Sequence, residues 1–569
     1  MDKRLLSLAA VLGLTLTGCG DNVAEVSNQC EDLYKNEKYT EAFPICKKAC
    51  DLNNGYGCAY IGVIYHEGNG VEQDYSKAIF ALEKACNLNI GVGCYNLGVL
   101  YNIGKGVKQD LQQANQYFQK SCELKHSYGC AALGYSYNDE QDYNQAKIYF
   151  EKACNLDNGI GCSYLSALYH DGIGVSQDYN QAKIYAEKAC NLNDGNGCYN
   201  LGSLYQDGIG VTQDYNQVKI YFEKACTLGE SSGCYDLGHL YGQGQGVEQN
   251  YQQANQYYEK ACTLNNGSGC VNLGVLYSDG KGVKQDYIMA NTLYKKACNL
   301  NEGTGCYNLG TMYLWGQGVT KDEQQAFPYF QKACNLNEGA GCYNLGTMYL
   351  WGQGVTKDEQ QAFQYFQKAC NLDNTGGCYN LGVSYRDGIG VNQDFHQAVQ
   401  YFQKSCDMND ATGCGNLGNL YDNGEGVKQD IQKAIHYYQK GCDMNDNTAC
   451  FNLGLLYADG TGVEQDEQKA NLYYQKACDL NLGAACNNLG IAYVKGKGVK
   501  KDQHKAFHYV HKACDLNYGL ACKNEGIFYK YGNGVRQNKI TAKESFGKAC
   551  DLGEQLGCDE YRKLNEKGY

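Results

Sequence analysis

Cysteine spacing constrains this chain more than any other feature. Thirty of its 33 cysteines fall into C-x7-C pairs. The pairs are Cys50 and Cys58, Cys86 and Cys94, Cys122 and Cys130, Cys154 and Cys162, Cys190 and Cys198, Cys226 and Cys234, Cys262 and Cys270, Cys298 and Cys306, Cys334 and Cys342, Cys370 and Cys378, Cys406 and Cys414, Cys442 and Cys450, Cys478 and Cys486, Cys514 and Cys522, and Cys550 and Cys558. They recur every 36 residues, with one step of 32 between Cys122 and Cys154. A period of this length over 569 residues implies a solenoid of small stacked units rather than three or four ordinary domains. The skew towards 71 Gly and 52 Tyr, against 2 Pro and 2 Trp, fits one unit copied many times. A net charge of -13 argues against a phosphate-binding, nucleic-acid role. A mean hydropathy of -0.53 excludes a multi-span membrane protein. Hydrophobic content of 43% excludes a disordered chain.

One unit shows the local logic. Cys94-Tyr95-Asn96-Leu97-Gly98-Val99-Leu100-Tyr101 puts Leu97, Gly98 and Tyr101 on one helical stripe. Gly104-Lys105-Gly106-Val107 is a turn. Asp110 stands where a second helix needs its N-cap, and Asp or Asn recurs there at Asp74, Asp178, Asn250, Asp286 and Asn538. The second helix carries Ala114, Tyr117, Phe118 and Ser121 on one face. A lysine stands two before every first cysteine of a pair, from Lys48 to Lys548, and is expected to complement the dipole of its own helix end. Each unit is thus an antiparallel helix pair whose apolar face needs a neighbour, which predicts an all-α, right-handed superhelical αα-hairpin solenoid.

The strings L-G-x-x-Y, G-x-G-V-x-x-D and A-x-x-Y-F-x-K-A-C resemble the Sel-one-like repeat, a relative of the tetratricopeptide repeat, over residues 28–569. The C-x7-C pair in every unit further resembles the Helicobacter-type cysteine-rich proteins. That resemblance implies a secreted helical-repeat protein, penicillin binding with beta-lactamase activity, and interaction with a host. In superhelices of this kind the first helix lines the concave side. The 32-residue unit lacks the G-x-G-V turn, Tyr137 to Asp142 taking its place, so a tighter hairpin is expected there.

The first cysteine of each pair ends one helix and the second begins the next, both at the same end of the stack. Pairing at separation eight is therefore natural, and it leaves no orphan. The rival, pairing within a hairpin as in Cys58 with Cys86, would strand Cys50 and Cys558. Each bridge closes a short loop and contributes roughly 2.5 kcal/mol by chain entropy. Cys30 and Cys46 fall on core-facing positions of the first hairpin and are expected to bridge it.

Chemistry is sparse. The two S-x-x-K strings, Ser278 to Lys281 and Ser545 to Lys548, lack K-T-G and S-D-N partners and read as chance. His504, His508 and His511 form an i, i+4, i+7 stripe that could hold zinc or nickel, although a solvated polar face is the plainer reading. No cofactor is expected. The main polar signal is an Asn two after the second cysteine: Asn96, Asn200, Asn272, Asn308, Asn344, Asn380, Asn416, Asn452, Asn488 and Asn524, with Asp236 once. This position lies off the core stripe. Such a ladder can donate to and accept from a peptide backbone, or it can bond its own helix start. Trp315 and Trp351 stand at equivalent positions of two units, residues 298–333 and 334–369, that differ only at Thr304/Ala340 and Pro328/Gln364. They are candidate binding anchors.

Lys3 and Arg4 followed by an apolar run from Leu5 to Leu16 read as a signal peptide. Leu16-Thr17-Gly18-Cys19 resembles the bacterial lipobox, which implies a lipidated Cys19 and an exported, periplasmic or outer-membrane lipoprotein, surface-exposed or secreted as further alternatives. The expected divisions are a signal peptide at 1–18, a linker at 19–27, a capping hairpin at 28–57, fourteen repeats at 58–557 and a capping helix at 558–569. The function expected is a lipid-anchored, monomeric scaffold for a protein or peptide-like ligand, peptidoglycan-related or host-derived. A penicillin-binding beta-lactamase and a host-interaction factor are the alternatives.

Overall fold

A computed structural model describes residues 21–569, and the expected signal peptide and Cys19 lie outside the described residues. Among the described residues there are 31 helices and no strand. Helices of twelve to fifteen residues alternate as A and B members of hairpins. The chain divides into two units, one ending at Leu293 and the other beginning at Tyr294, and each is a run of such hairpins. The first hairpin joins Asp21–Lys35 to Tyr39–Asp51, so residues 21–27, expected as a linker, are helical. Fourteen hairpins follow, beginning at Gly55, and a last helix spans Gln555–Glu566.

The hairpin containing Cys94 shows why this sequence folds so. Its A helix, Gly91–Ile103, ends at Gly104 in the left-handed region with φ of 68°. Its B helix, Leu111–Glu123, starts where the Asp110 carboxylate accepts from the Gln113 N–H at 2.9 Å. At the close of most B helices a single Asn or Asp adopts positive φ, as Asn89 does at 59°, a conformation its short polar side chain tolerates. Gly98 lets the two helices approach, since a Cβ there would lie 2.7 Å from the Phe118 ring. Ile79, Leu82, Leu97 and Leu100 form the buried core, with Val107 of the turn packed against them. Tyrosines one turn further out pair across most hairpins. Tyr349 and Tyr365 are an example, with ring centroids 5.6 Å apart and planes 8° from parallel.

Two kinds of link join neighbouring hairpins. The first is covalent: fifteen disulfides connect the C-x7-C cysteines, and a sixteenth connects Cys30 to Cys46. Cys30 and Cys46 are fully buried. The second link corrects the reading of the recurrent lysine. In seven repeats its Nζ reaches past its own helix to the carbonyl of the first cysteine in the preceding repeat. Lys84 donates to Cys50 O at 2.7 Å, Lys332 to Cys298 O at 2.7 Å and Lys548 to Cys514 O at 2.8 Å. That carbonyl lies in the last turn of the preceding B helix, so the cation answers the negative end of its neighbour's dipole. In the second unit, Tyr437, Tyr473 and Tyr509 add hydroxyl bonds to Gln403, Gln439 and Gln475 across the same 34-residue separation.

Pro328 stands inside one B helix, Glu323–Asn335, while its near copy Glu359–Asn371 carries Gln364 at that place. An interior proline loses one backbone hydrogen bond and crowds the preceding turn. Pro328→Gln should therefore stabilise that helix by about 2–3 kcal/mol. Amide exchange in Glu323–Asn335 should slow accordingly, with Glu359–Asn371 as an unchanged internal reference. Equal exchange in parent and variant would show that the array absorbs the proline without cost.

Candidate functional site

The A helices carry the candidate ligand residues, and the structure divides them. Asn96 is 1% exposed and both its side-chain polar atoms lack partners, so it is a core residue rather than a ligand contact. Asn380 and Asn416 donate to Gly376 O and Thr412 O, one turn back on their own helices, at 3.0 and 2.9 Å. Asn416 also accepts from Arg386 of the preceding repeat at 2.6 Å. Asn200 donates to Ser163 O at 3.3 Å, Asn452 to Asn419 Oδ1 at 2.9 Å and Asn524 to Asn487 Oδ1 at 2.9 Å, each reaching the preceding A helix. Asn272 and Asn488 neighbour the hydroxyls of Tyr258 and Tyr474, which burial pushes up to about 12. Asn308 and Asn344 are half-buried. Four of the ten Asn rungs thus bond the preceding A helix.

Trp315 and Trp351 end two successive A helices, Gly303–Trp315 and Gly339–Trp351, and are 69% and 70% exposed. Each lies seven residues after Asn308 or Asn344, on the same helical face.

The remaining candidates resolve differently. His504 and His508 are exposed. His511 turns to Glu525, through Nδ1, and to Asp515 at 3.6 Å. Glu525 occupies the core position that Leu97 holds elsewhere, a substitution visible in the sequence as Cys522-Lys523-Asn524-Glu525-Gly526. Among the described residues no group of three or more His, Cys, Asp or Glu could hold a metal. Neither S-x-x-K string forms a reactive pair. Lys281 pairs with Asp279 at 2.8 Å, while Ser545 is buried and Lys548 is held by Cys514 O. Gly229 to Gly233 also spells G-x-S-x-G. There, however, Glu230 N-caps the helix Ser231–Gln243, whereas a nucleophile elbow joins a strand to a helix.

This arrangement, a disulfide-stapled αα-hairpin array without a catalytic constellation among its described residues, defines a repeat protein suited to protein–protein interaction. The Sel1 repeat matches residues 55–90, 91–126, 160–194, 195–230, 231–266, 267–302, 304–338, 339–374, 376–410, 411–446, 447–482, 483–518 and 518–554. The shortened hairpin, 127–159, matches a tetratricopeptide repeat. The chain therefore belongs to the Sel1 repeat family. It is similar to a solved protective antigen of uropathogenic Escherichia coli that displays an SLR fold. The identity is 27% and the TM-score 0.57, over 86% of this chain and 97% of that one. Helicobacter pylori cysteine rich protein B is 41% identical over 24% of this chain and 97% of its own, with a TM-score of 0.20. HcpC of Helicobacter pylori strain J99 is 44% identical over 41 residues, and the chain spans only 14% of its length.

Asp236 stands in the ladder where Asn is the rule, and burial holds its carboxyl above the usual range, opposed by a hydrogen bond with Tyr199. A raised folded pKa means that the ionised form is penalised. Stability is complete below the unfolded value near 4 and falls as pH rises through the folded value. Asp236→Asn should therefore raise the melting temperature at pH 7, and the gain should vanish below about pH 4. A gain equal at both pH values would contradict the burial argument.

Proposed function

We propose that this chain is an exported, lipid-anchored scaffold that holds a protein or peptide-like ligand along its A helices. The observation that carries this reading is the pair of exposed tryptophans on successive A helices. An indole that far into solvent contributes little to its own fold and offers a large, rigid contact area to a partner. Asn308 and Asn344 on the same face can donate to and accept from a peptide backbone without choosing its sequence. The near-identical repeat doubles this surface. Sixteen disulfides suit an oxidising, extracytoplasmic compartment. Among the described residues no helix is long and apolar enough to cross a membrane. Attachment through a lipidated Cys19 rests on the Leu16 to Cys19 string.

The name of HcpC proposes a beta-lactamase, and that activity is the alternative for this chain. It lacks support from either S-x-x-K string. The likeness to a protective antigen makes a host-facing role the third reading.

Full-length oxidised protein should capture a partner from cell envelopes. Trp315→Ala with Trp351→Ala should weaken that capture about 30-fold or more, the size of an anchor loss, without changing the melting temperature. Retention at the parental level would remove the tryptophan face from the account. Turnover of a chromogenic beta-lactam by the parent would favour the alternative. Mass spectrometry should find the mature N-terminus at a lipid-modified Cys19, and an unmodified start elsewhere would refute the anchor.

A further inference from the structure

The shortened hairpin changes what covers the helix before it. In full-length repeats the G-x-G-V turn lies over the first turn of the preceding B helix. A Cβ on Gly106 would run into Tyr75, and one on Gly210 would lie 2.8 Å from Tyr179 Cβ. The valine that follows packs in the seam beneath, as Val107 does between Ile79, Leu82, Leu97 and Leu100. The hairpin formed by Ser127–Asp139 and Tyr143–Asn155 has neither glycine nor valine there, because Glu140, Gln141 and Asp142 join its helices directly. The first turn of the preceding B helix is therefore left uncovered. Leu111, at the position of Tyr75 and Tyr179, is 55% exposed.

A cavity of about 250 Å³ lies at this place, between the helices Gly91–Ile103, Leu111–Glu123 and Ser127–Asp139. Buried Val99, Phe118 and Ala132 give it an apolar floor, and exposed Leu111 and two tyrosines line it as well. Asp139 and Glu140 line it as well, and both are exposed at its mouth. No cation is among the lining residues. Sites for drug-sized molecules begin at roughly 300 Å³, so this cavity suits a single side chain better than a whole cofactor.

We infer that the cavity seats one bulky apolar side chain, of the Leu, Met or Phe class, from a partner peptide that carries Lys or Arg beside it. The apolar group is taken out of water on the floor. The basic neighbour stays at the mouth, where two carboxylates of one sign are unopposed by any lining cation. This site does not depend on the tryptophan face, which lies in the other unit.

The test uses the full-length oxidised protein and an acetylated, amidated peptide Gly-Lys-Phe-Lys-Gly containing fluorophenylalanine, followed by fluorine NMR titration. Replacing the aromatic residue by Ala, with a fluorine label elsewhere in the peptide, should weaken binding about tenfold or more, the worth of one buried side chain. Replacing both Lys by Glu should weaken it by at least as much. Asp139→Asn with Glu140→Gln should weaken the Lys peptide about threefold to fivefold, as expected for exposed charge pairs, and should remove most of its salt dependence. These two positions are exposed, so the variant should fold as the parent does. Ala132→Leu fills the floor and should abolish binding. Should Ala132→Leu misfold, inserting a Gly-Lys-Gly-Val turn between Glu140 and Gln141 tests the same point by covering the cavity. Equal binding of the Lys and Glu peptides, unchanged binding by the charge variant, or unchanged binding after the turn is restored would each overturn the inference. So would binding of phenethylamine by a protein that ignores the peptide, because the site would then belong to small amines.

Discussion

A hairpin of two thirteen-residue helices cannot bury its apolar face alone, so everything in this molecule depends on how firmly one hairpin is held to the next. A disulfide does this at each junction of the described residues, and a lysine bond is added to it in seven repeats. The disulfide ties the end of a B helix to the start of the following A helix, and the lysine ammonium ties the following B helix back to the same cysteine's carbonyl. Both operate at fixed sequence separations of eight and 34. A repeat that keeps Lys-x-Cys and C-x7-C therefore docks on whatever neighbour also keeps them. That interchangeability explains how residues 334–369 can be a near copy of 298–333 without disturbing caps, core or register.

Specificity then has to come from places where the repeat departs from itself. The two tryptophans do so by adding aromatic area at a helix end. The shortened hairpin does so by subtraction, since losing the turn uncovers Leu111. The Asn ladder is the least specific of the recurrent polar features, because its amides bond different partners in different repeats. Ser163 O, Asn419 and Asn487 serve in different repeats, and Arg386 is a further partner.

Much of the fold was legible because it rests on local chemistry. Period, turn glycines, Asp N-caps and the spacing of core residues each act within one or two turns, and hairpin boundaries followed from them to within a few residues. The lysine target was not legible. In one dimension a basic residue in a last turn answers its own helix dipole, and only packing shows that the neighbouring carbonyl is within reach. The ladder was legible as a pattern but not as contacts, since some partners stand one turn back on the same helix and others 30 to 37 residues away. Asn96 looked like every other rung, yet it is buried. The missing turn could be read directly from Tyr137 to Asp142, whereas the cavity it leaves required three helices to be placed together.

Peptide mapping of the oxidised protein under non-reducing conditions reads the stapling bonds themselves. Fifteen cross-linked peptides joining cysteines eight residues apart, Cys50 to Cys58 through Cys550 to Cys558, are expected together with Cys30 to Cys46. Recovery of Cys58 joined to Cys86, or of any pairing confined to one of the fourteen hairpins after the first, would contradict that stapling. Each repeat would then be closed on itself rather than stapled to its neighbour.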